Sequence, residues 1–108
     1  MKIELPEVID KYIQACNRHD VRSMLDCFSE DAIVRDEGEE LPGKKAIEGW
    51  ATKTIEKYKF HFNPLSMKDE GAETVVVVEV SGTFDGSPVI LNFHFAIEKG
   101  QIVSLAVK

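Results

Sequence analysis

Three polar residues of this chain, Tyr12, Asp36 and Asn92, sit in apolar surroundings where they could act together on one bound molecule. Tyr12 lies on the apolar stripe of the first helical segment and Asp36 closes the first strand-like segment. Asn92 interrupts a hydrophobic run between Leu91 and Phe93. A carboxylate that takes up a proton, facing two hydrogen-bond donors, is the minimum set of groups for moving a proton next to a carbonyl. Each residue also has a structural reading. A tyrosine on an apolar helix face packs its ring and leaves its hydroxyl at the rim. Asp36 can cap the acidic turn that continues through Glu37, Glu39 and Glu40. A buried Asn92 amide needs partners, either as a ligand contact or as a register-setting hydrogen bond.

The elements that would position these residues follow from periodicity. Leu5, Val8, Ile9, Tyr12, Ile13 and Cys16 recur at helical spacing, which predicts a one-sided helix over residues 6–17 with Pro6 in its first turn. Asn17-Arg18-His19 forms a corner, and Asp20 is placed to cap a short second helix that turns Val21, Met24, Leu25 and Phe28 inward. Ala32-Ile33-Val34-Arg35-Asp36 reads as a strand and Glu37-Gly38-Glu39-Glu40-Leu41-Pro42-Gly43 as a solvated loop. Ile47, Trp50, Ala51, Thr54, Ile55 and Tyr58 form the stripe of a third helix. From Lys59 onward the pattern is that of strands, expected over residues 59–68, 73–84, 89–98 and 101–107. The short turns between them favour sequential antiparallel pairing, with Pro64 at an edge or a bend. Helices first and strands afterwards predict one α+β domain over residues 1–108, its curved antiparallel sheet wrapped around three N-terminal helices.

Composition narrows the partners. The 108 residues carry a formal net charge of -6, which argues against nucleic acid or an anionic membrane, since both need clustered Lys and Arg. Glu4, Glu7 and Asp10 fall where a signal segment would be apolar, and no apolar run reaches membrane-spanning length. A cytoplasmic protein is therefore expected. Cys16 and Cys27 are too far apart for a CxxC motif and fall within helical patterns, which reads as buried, reduced thiols. There is no nucleotide loop, zinc-ligand spacing or nucleophilic triad, so neither a metal nor a cofactor is expected.

Three stretches carry a more specific likeness. Lys11-Tyr12-Ile13-Gln14-Ala15-Cys16-Asn17-Arg18-His19-Asp20, then Phe28-Ser29-Glu30-Asp31-Ala32-Ile33-Val34-Arg35-Asp36, then Gly100-Gln101-Ile102-Val103-Ser104-Leu105 resemble the ordered signatures of the nuclear transport factor 2-like superfamily, in its ketosteroid isomerase and SnoaL-like branch. The resemblance covers nearly the whole chain and implies a cone-shaped, cystatin-like fold. It is weak for function, because this fold hosts isomerases, cyclases, dehydratases, epoxide hydrolases and non-catalytic binding or assembly domains. In ketosteroid isomerases the first helix supplies a tyrosine that donates to the substrate oxyanion, and the first strand an aspartate base. Tyr12 and Asp36 stand at the matching positions. The second oxyanion donor there is a carboxylic acid kept neutral by an apolar site, and counting back from Gly100 puts Asn92 in its place. An amide still donates, but it matches a developing enolate less well. The resemblance therefore implies isomerase chemistry in weakened form, or another reaction. Arg35, next to Asp36 on a strand, should project to the other face, against the Asp-Arg-Asp arrangement of the fold's epoxide hydrolases.

A pocket lined by Tyr12, Trp50, Val78, Leu105 and Val107 is expected, with Asp36 and Asn92 as further polar groups. His94 shares Asn92's face by the strand period, as a second pocket candidate or a satisfied sheet histidine. His19 and His61 are assigned no chemistry. With Asn92 inward, Leu91, Phe93, Phe95 and Ile97 would form an outer apolar patch that a second subunit covers, as the family commonly does, so a homodimer is expected. A bulge or slip would reverse the strand and put the phenylalanines in the core. The function expected is cofactor-free proton transfer, of isomerase or cyclase type, in a small hydrophobic carbonyl compound. Its rival is a non-catalytic small-molecule-binding or dimerisation domain with the same pocket.

Overall fold

The first helix is tied at its C-terminal corner by side chains that bond the backbone of a distant strand. In the computed structural model, which describes residues 4–108, helix α1 (Glu7–Asn17) follows Pro6 and buries Ile9, Tyr12, Ile13, Ala15 and Cys16. At its end Asn17 donates to the Phe62 carbonyl at 2.9 Å and accepts from the Phe62 N–H at 2.7 Å. One amide thus satisfies two backbone groups of a strand and joins the helix to the sheet. His19, at a φ of 54°, bonds the Phe60 carbonyl through Nε2 at 2.8 Å, so this corner histidine is structural. Helix α2 (Val21–Asp26) starts as expected, with the Asp20 carboxylate accepting from the Ser23 backbone N–H.

The remaining elements are strand β1 (Phe28–Asp36), strand β2 (Glu39–Pro42), helix α3 (Gly43–Tyr58), and strands β3 (His61–Asp69), β4 (Thr74–Ser81), β5 (Val89–Glu98) and β6 (Gln101–Val107). They form a six-stranded sheet in the order β2-β1-β6-β5-β4-β3. β3 to β6 pair sequentially and antiparallel, as expected, and β3 is an edge strand whose register shifts between Pro64 and Ser66. Two features differ from expectation. β1 begins earlier, at Phe28, and lies parallel to β6, a long-range pairing that local periodicity does not announce. The expected loop after Asp36 is a hairpin: Glu37 and Gly38 both take positive φ, 52° and 78°, and β2 returns antiparallel along β1. Two consecutive left-handed residues make the tight turn whose twist suits a two-residue hairpin.

The helices pack on one face of the sheet, α3 against β1 and β2 and α1 against β3 and β6. Between them Tyr12 meets Phe28 and Phe95 edge-on, with ring centroids 5.4 and 5.9 Å apart. Phe60 stacks on Phe62 at 4.4 Å, and Phe62 meets Phe93 edge-on at 5.1 Å. Cys16 and Cys27 are free and buried. Among the described residues no helix is long and apolar enough to cross a membrane.

The facing of β5 corrects the expectation. Phe93 and Phe95 are 3 % and 0 % exposed, whereas Asn92 is exposed and His94 half-buried on the opposite face. The physical reason is the sum over the strand. Each buried phenylalanine stabilises the fold by about 1.5–3 kcal/mol, while an amide turned inward without partners costs about 1–3 kcal/mol. Outside, Asn92 keeps both backbone hydrogen bonds, to Lys108 at 2.9 Å, and His94 Nδ1 lies 3.3 Å from Glu73. The centre of the patch on which a homodimer was expected, Phe93 and Phe95, is therefore core, with Leu91 and Ile97 partly buried beside it, and that expectation loses the contacts it was built on.

Candidate functional site

The inward face of the sheet and the facing sides of α1 and α3 leave a cavity of about 340 Å³. Tyr12 comes from α1, Asp36 and Glu37 from the end of β1 and its turn, and Trp50, Thr54 and Tyr58 from successive turns of α3. Spacing by four residues puts those last side chains on one helix face. Phe60, Phe62, Val80, Phe93, Leu105 and Val107 supply much of the apolar wall. Glycine is required at one point of this frame. A side chain at Gly82 would collide with the Tyr58 carbonyl oxygen, and the Thr83 N–H donates to that same oxygen at 2.8 Å. The close approach joins the end of β4 to the end of α3, beside Tyr58 and Phe84.

Asp36 and Trp50 form the central polar contact. Trp50 Nε1 donates to Asp36 Oδ2 at 3.0 Å, which fixes the carboxyl against the helix. Burial raises the Asp36 pKa above the ordinary carboxylate range; the Trp50 hydrogen bond works against that rise, and the Glu37 charge adds to it. The result is a partly desolvated carboxyl that gains a proton more readily than a surface aspartate.

Tyr12 is the deepest polar residue, 1 % exposed. Among the described residues no sealed polar side-chain atom lacks a partner, and the polar partner of the Tyr12 hydroxyl is the Cys16 thiol. Tyr12 lines the cavity at its inner end. Burial pushes its pKa well up, followed by the influence of Cys16, so it remains a neutral donor. Thr54 is committed to the Ala51 carbonyl at 3.1 Å and Tyr58 to Glu37 Oε1 at 2.7 Å.

Of the expected site residues, Tyr12, Asp36, Trp50, Leu105 and Val107 line this one cavity. Val78 faces inward and is fully buried, but in the core; Val80, two residues on, reaches the cavity instead. Asn92 and His94 are on the far side of the sheet, so neither can meet a ligand held beside Tyr12. Arg35 is exposed and pairs with Glu40 at 3.2 Å, away from Asp36 as expected. Sequence reasoning missed Glu37, Phe84 and Asp85, which stand on turns. The usable signal was that both turns place an acidic residue and an aromatic or second acid side by side.

The family model of the SnoaL-like domain matches residues 9–105. A proposed polyketide cyclase from Sinorhizobium meliloti is 33 % identical, with a TM-score of 0.93 over 96 % of this chain and 95 % of that one. A protein from Catenulispora acidiphila with a ketosteroid isomerase-like fold, solved with trimethylamine, is 17 % identical, with a TM-score of 0.84 over 97 % and 86 %. A cystatin-fold protein from Novosphingobium aromaticivorans is 16 % identical, with a TM-score of 0.81 over 99 % of both chains. The last two likenesses speak for the fold alone. Comparison with curated proteins gave no match. With a family match over nearly its whole length and the helix-then-sheet architecture that goes with it, the chain belongs to the SnoaL-like domain family.

Proposed function

We propose that the cavity binds a small hydrophobic carbonyl compound and that Asp36 moves a proton within it. The observation that carries this reading is the presence, in one aromatic cavity, of the Trp50-held Asp36 carboxyl and of Tyr12. The Asp36 carboxylate takes the proton from the carbon next to the carbonyl. The electron pair moves onto the carbonyl oxygen, to which Tyr12 donates. Asp36 then returns the proton, either to carbon, which isomerises the compound, or to the alkoxide formed when the enolate carbon attacks a second carbonyl. The likeness to the Sinorhizobium protein favours the second, cyclase-type outcome. With Asn92 outside, the oxyanion has one donor, which weakens the case for steroid isomerisation.

A second reading is a binding domain without turnover, and the same missing donor favours it. Solvent deuterium incorporation next to the carbonyl of a small cyclic ketone, followed by NMR, separates the two. Proton transfer predicts acceleration over buffer, a fall of about 10²–10⁴ in Asp36→Asn and of about a hundredfold in Tyr12→Phe. A ketone that binds in the cavity without any acceleration supports the binding domain instead.

A further inference from the structure

Tyr58 and Phe84 stand at the mouth of the cavity, and both are tied to the frame around them. Among the described residues that line the cavity only Glu37 and Asp85 are exposed, so the mouth lies where these two meet solvent. Tyr58 is bonded to the first, and Phe84 directly precedes the second. The two rings, each half-buried, meet edge-on with centroids 5.6 Å apart, which joins the end of α3 to the loop after β4 across the mouth. Tyr58 is held at both ends. Its hydroxyl donates to Glu37 Oε1 at 2.7 Å, and its carbonyl accepts from the Thr83 N–H at 2.8 Å and from the Thr83 hydroxyl at 3.2 Å. Lys57 Nζ lies 5.0 Å from its ring centroid, a further contact on the ring. The loop that carries Phe84 is closed on itself: the Ser87 N–H donates to the Phe84 carbonyl at 3.3 Å, and Ser87 Oγ accepts from the Gly82 N–H at 3.0 Å. With Gly82 pressed against the Tyr58 carbonyl, neither ring swings aside without giving up a hydrogen bond or the edge-on contact.

We infer that Tyr58 and Phe84 are the specificity-determining pair of this site, a fixed constriction that admits compounds of one or two rings and turns away larger fused-ring compounds. This deepens the reading of the cavity as a small-molecule site, on which it rests, by giving the size of the molecule that enters. The space behind the pair sets the same limit. Its volume of about 340 Å³ lies near the lower end of the roughly 300–1,000 Å³ usual for ligand pockets, and Tyr12 and Met24, both buried, close its inner end. A longer compound held beside Asp36 has to project between the two rings, and displacing either one gives up the contacts that hold it. Selection then comes from a clash with the larger compound, not from an added attraction to the smaller one.

Two uncharged ketones test the inference: 2-tetralone, with two rings, and androstenedione, with four. Trp50 is the only tryptophan of the chain and lines the cavity, so its emission reports binding, with NMR as a second readout. The unmodified protein should bind the two-ring ketone about tenfold more tightly than the four-ring one, although the larger compound has more apolar surface to bury. Phe84→Leu and Tyr58→Leu should each raise the affinity for the four-ring ketone and bring the ratio close to one, a gain that a damaged fold does not produce. Tyr58→Phe, which keeps the ring and removes only the Glu37 bond, should act in the same direction by a smaller factor. Equal or tighter binding of the four-ring ketone by the unmodified protein overturns the inference. So does a ratio unchanged in both leucine variants, and so does failure of the two-ring ketone to bind at about 1 mM by both readouts. Loss of the size preference would leave the proton-transfer reading intact. That reading fails separately, in the deuterium experiment.

Discussion

The two faces of β5 present opposite chemistry from alternate residues of one strand. The inner face, Leu91, Phe93 and Phe95, builds cavity wall and core. The outer face carries Ile90, 59 % exposed, together with exposed Asn92 and the His94 that reaches Glu73. A polar residue inside an apolar run is conspicuous in a sequence and draws a functional reading. The strand as a whole is positioned by its largest apolar surfaces, and Asn92 goes where Phe93 and Phe95 do not. The same contrast holds at the cavity itself, where the polar groups that count stand at the ends of elements: Asp36 closes β1, Glu37 follows it, and Asp85 lies beyond β4.

The largest effect that would test this contrast is on stability. Phe95→Ala removes a fully buried ring that packs against Tyr12 and should lower the unfolding free energy by about 3–5 kcal/mol in urea titration. Phe93→Glu should likewise act as a core lesion. If Phe95→Ala is nearly silent while Asn92→Ala costs several kcal/mol, the two faces have been exchanged. Next in size is Gly82→Ala, which pushes a methyl group into the Tyr58 carbonyl and should cost about 1–3 kcal/mol. It should also loosen the mouth, seen as weaker quenching of Trp50 by ligands.

Much of this architecture was legible from the chain. The α1 stripe, the Asp20 cap, the span of β5 and β6 and the bend at Pro64 all follow from local spacing and residue type. What was illegible is non-local or binary. The parallel pairing of β1 with β6 joins segments far apart in sequence, and β2 is a short strand written in Glu39-Glu40-Leu41-Pro42, residues that suit a loop. The facing of β5 is a single two-way choice on which Asn92, His94 and the expected dimer patch all depended, so one reversal moved them together. Tyr12, Asp36 and Trp50 were recoverable because a helix stripe and a strand end have no such ambiguity.

A smaller and more selective effect concerns protonation. Asp36 has a pKa raised by burial, with the Trp50 hydrogen bond opposing the rise, so Trp50→Phe should move it higher still. Two-dimensional NMR of the Asp36 carboxyl carbon reads this directly, and any proton-transfer rate should lose its acid limb at a correspondingly higher pH. The sign for stability follows from linkage. A folded pKa above the unfolded one gives a contribution that is present at low pH and lost as pH rises through the folded value. Asp36→Asn should therefore gain stability relative to the parent at neutral pH and lose that advantage in acid. An Asp36 carboxyl titrating below the ordinary carboxylate range would make it a turn cap instead.

The smallest expected effect is at Asn92, and its smallness is the point. Were Asn92 beside Tyr12, Asn92→Asp would create a desolvated carboxyl that stays protonated and donates to an oxyanion. On the outer face the new carboxyl is solvated and should titrate near the reference value of about 3.9, although His94, two residues along the same face, can draw it slightly lower when charged. Stability should change by no more than about 0.5 kcal/mol, and binding of a phenol in the cavity, read through Trp50, should be unchanged. Asn92→Leu should be equally silent in that binding assay, while Tyr12→Phe removes the hydroxyl at the inner end of the cavity and weakens phenol binding. A raised pKa at position 92 together with tighter phenol binding would return Asn92 to the site and, with it, the second oxyanion donor that the isomerase reading lacks.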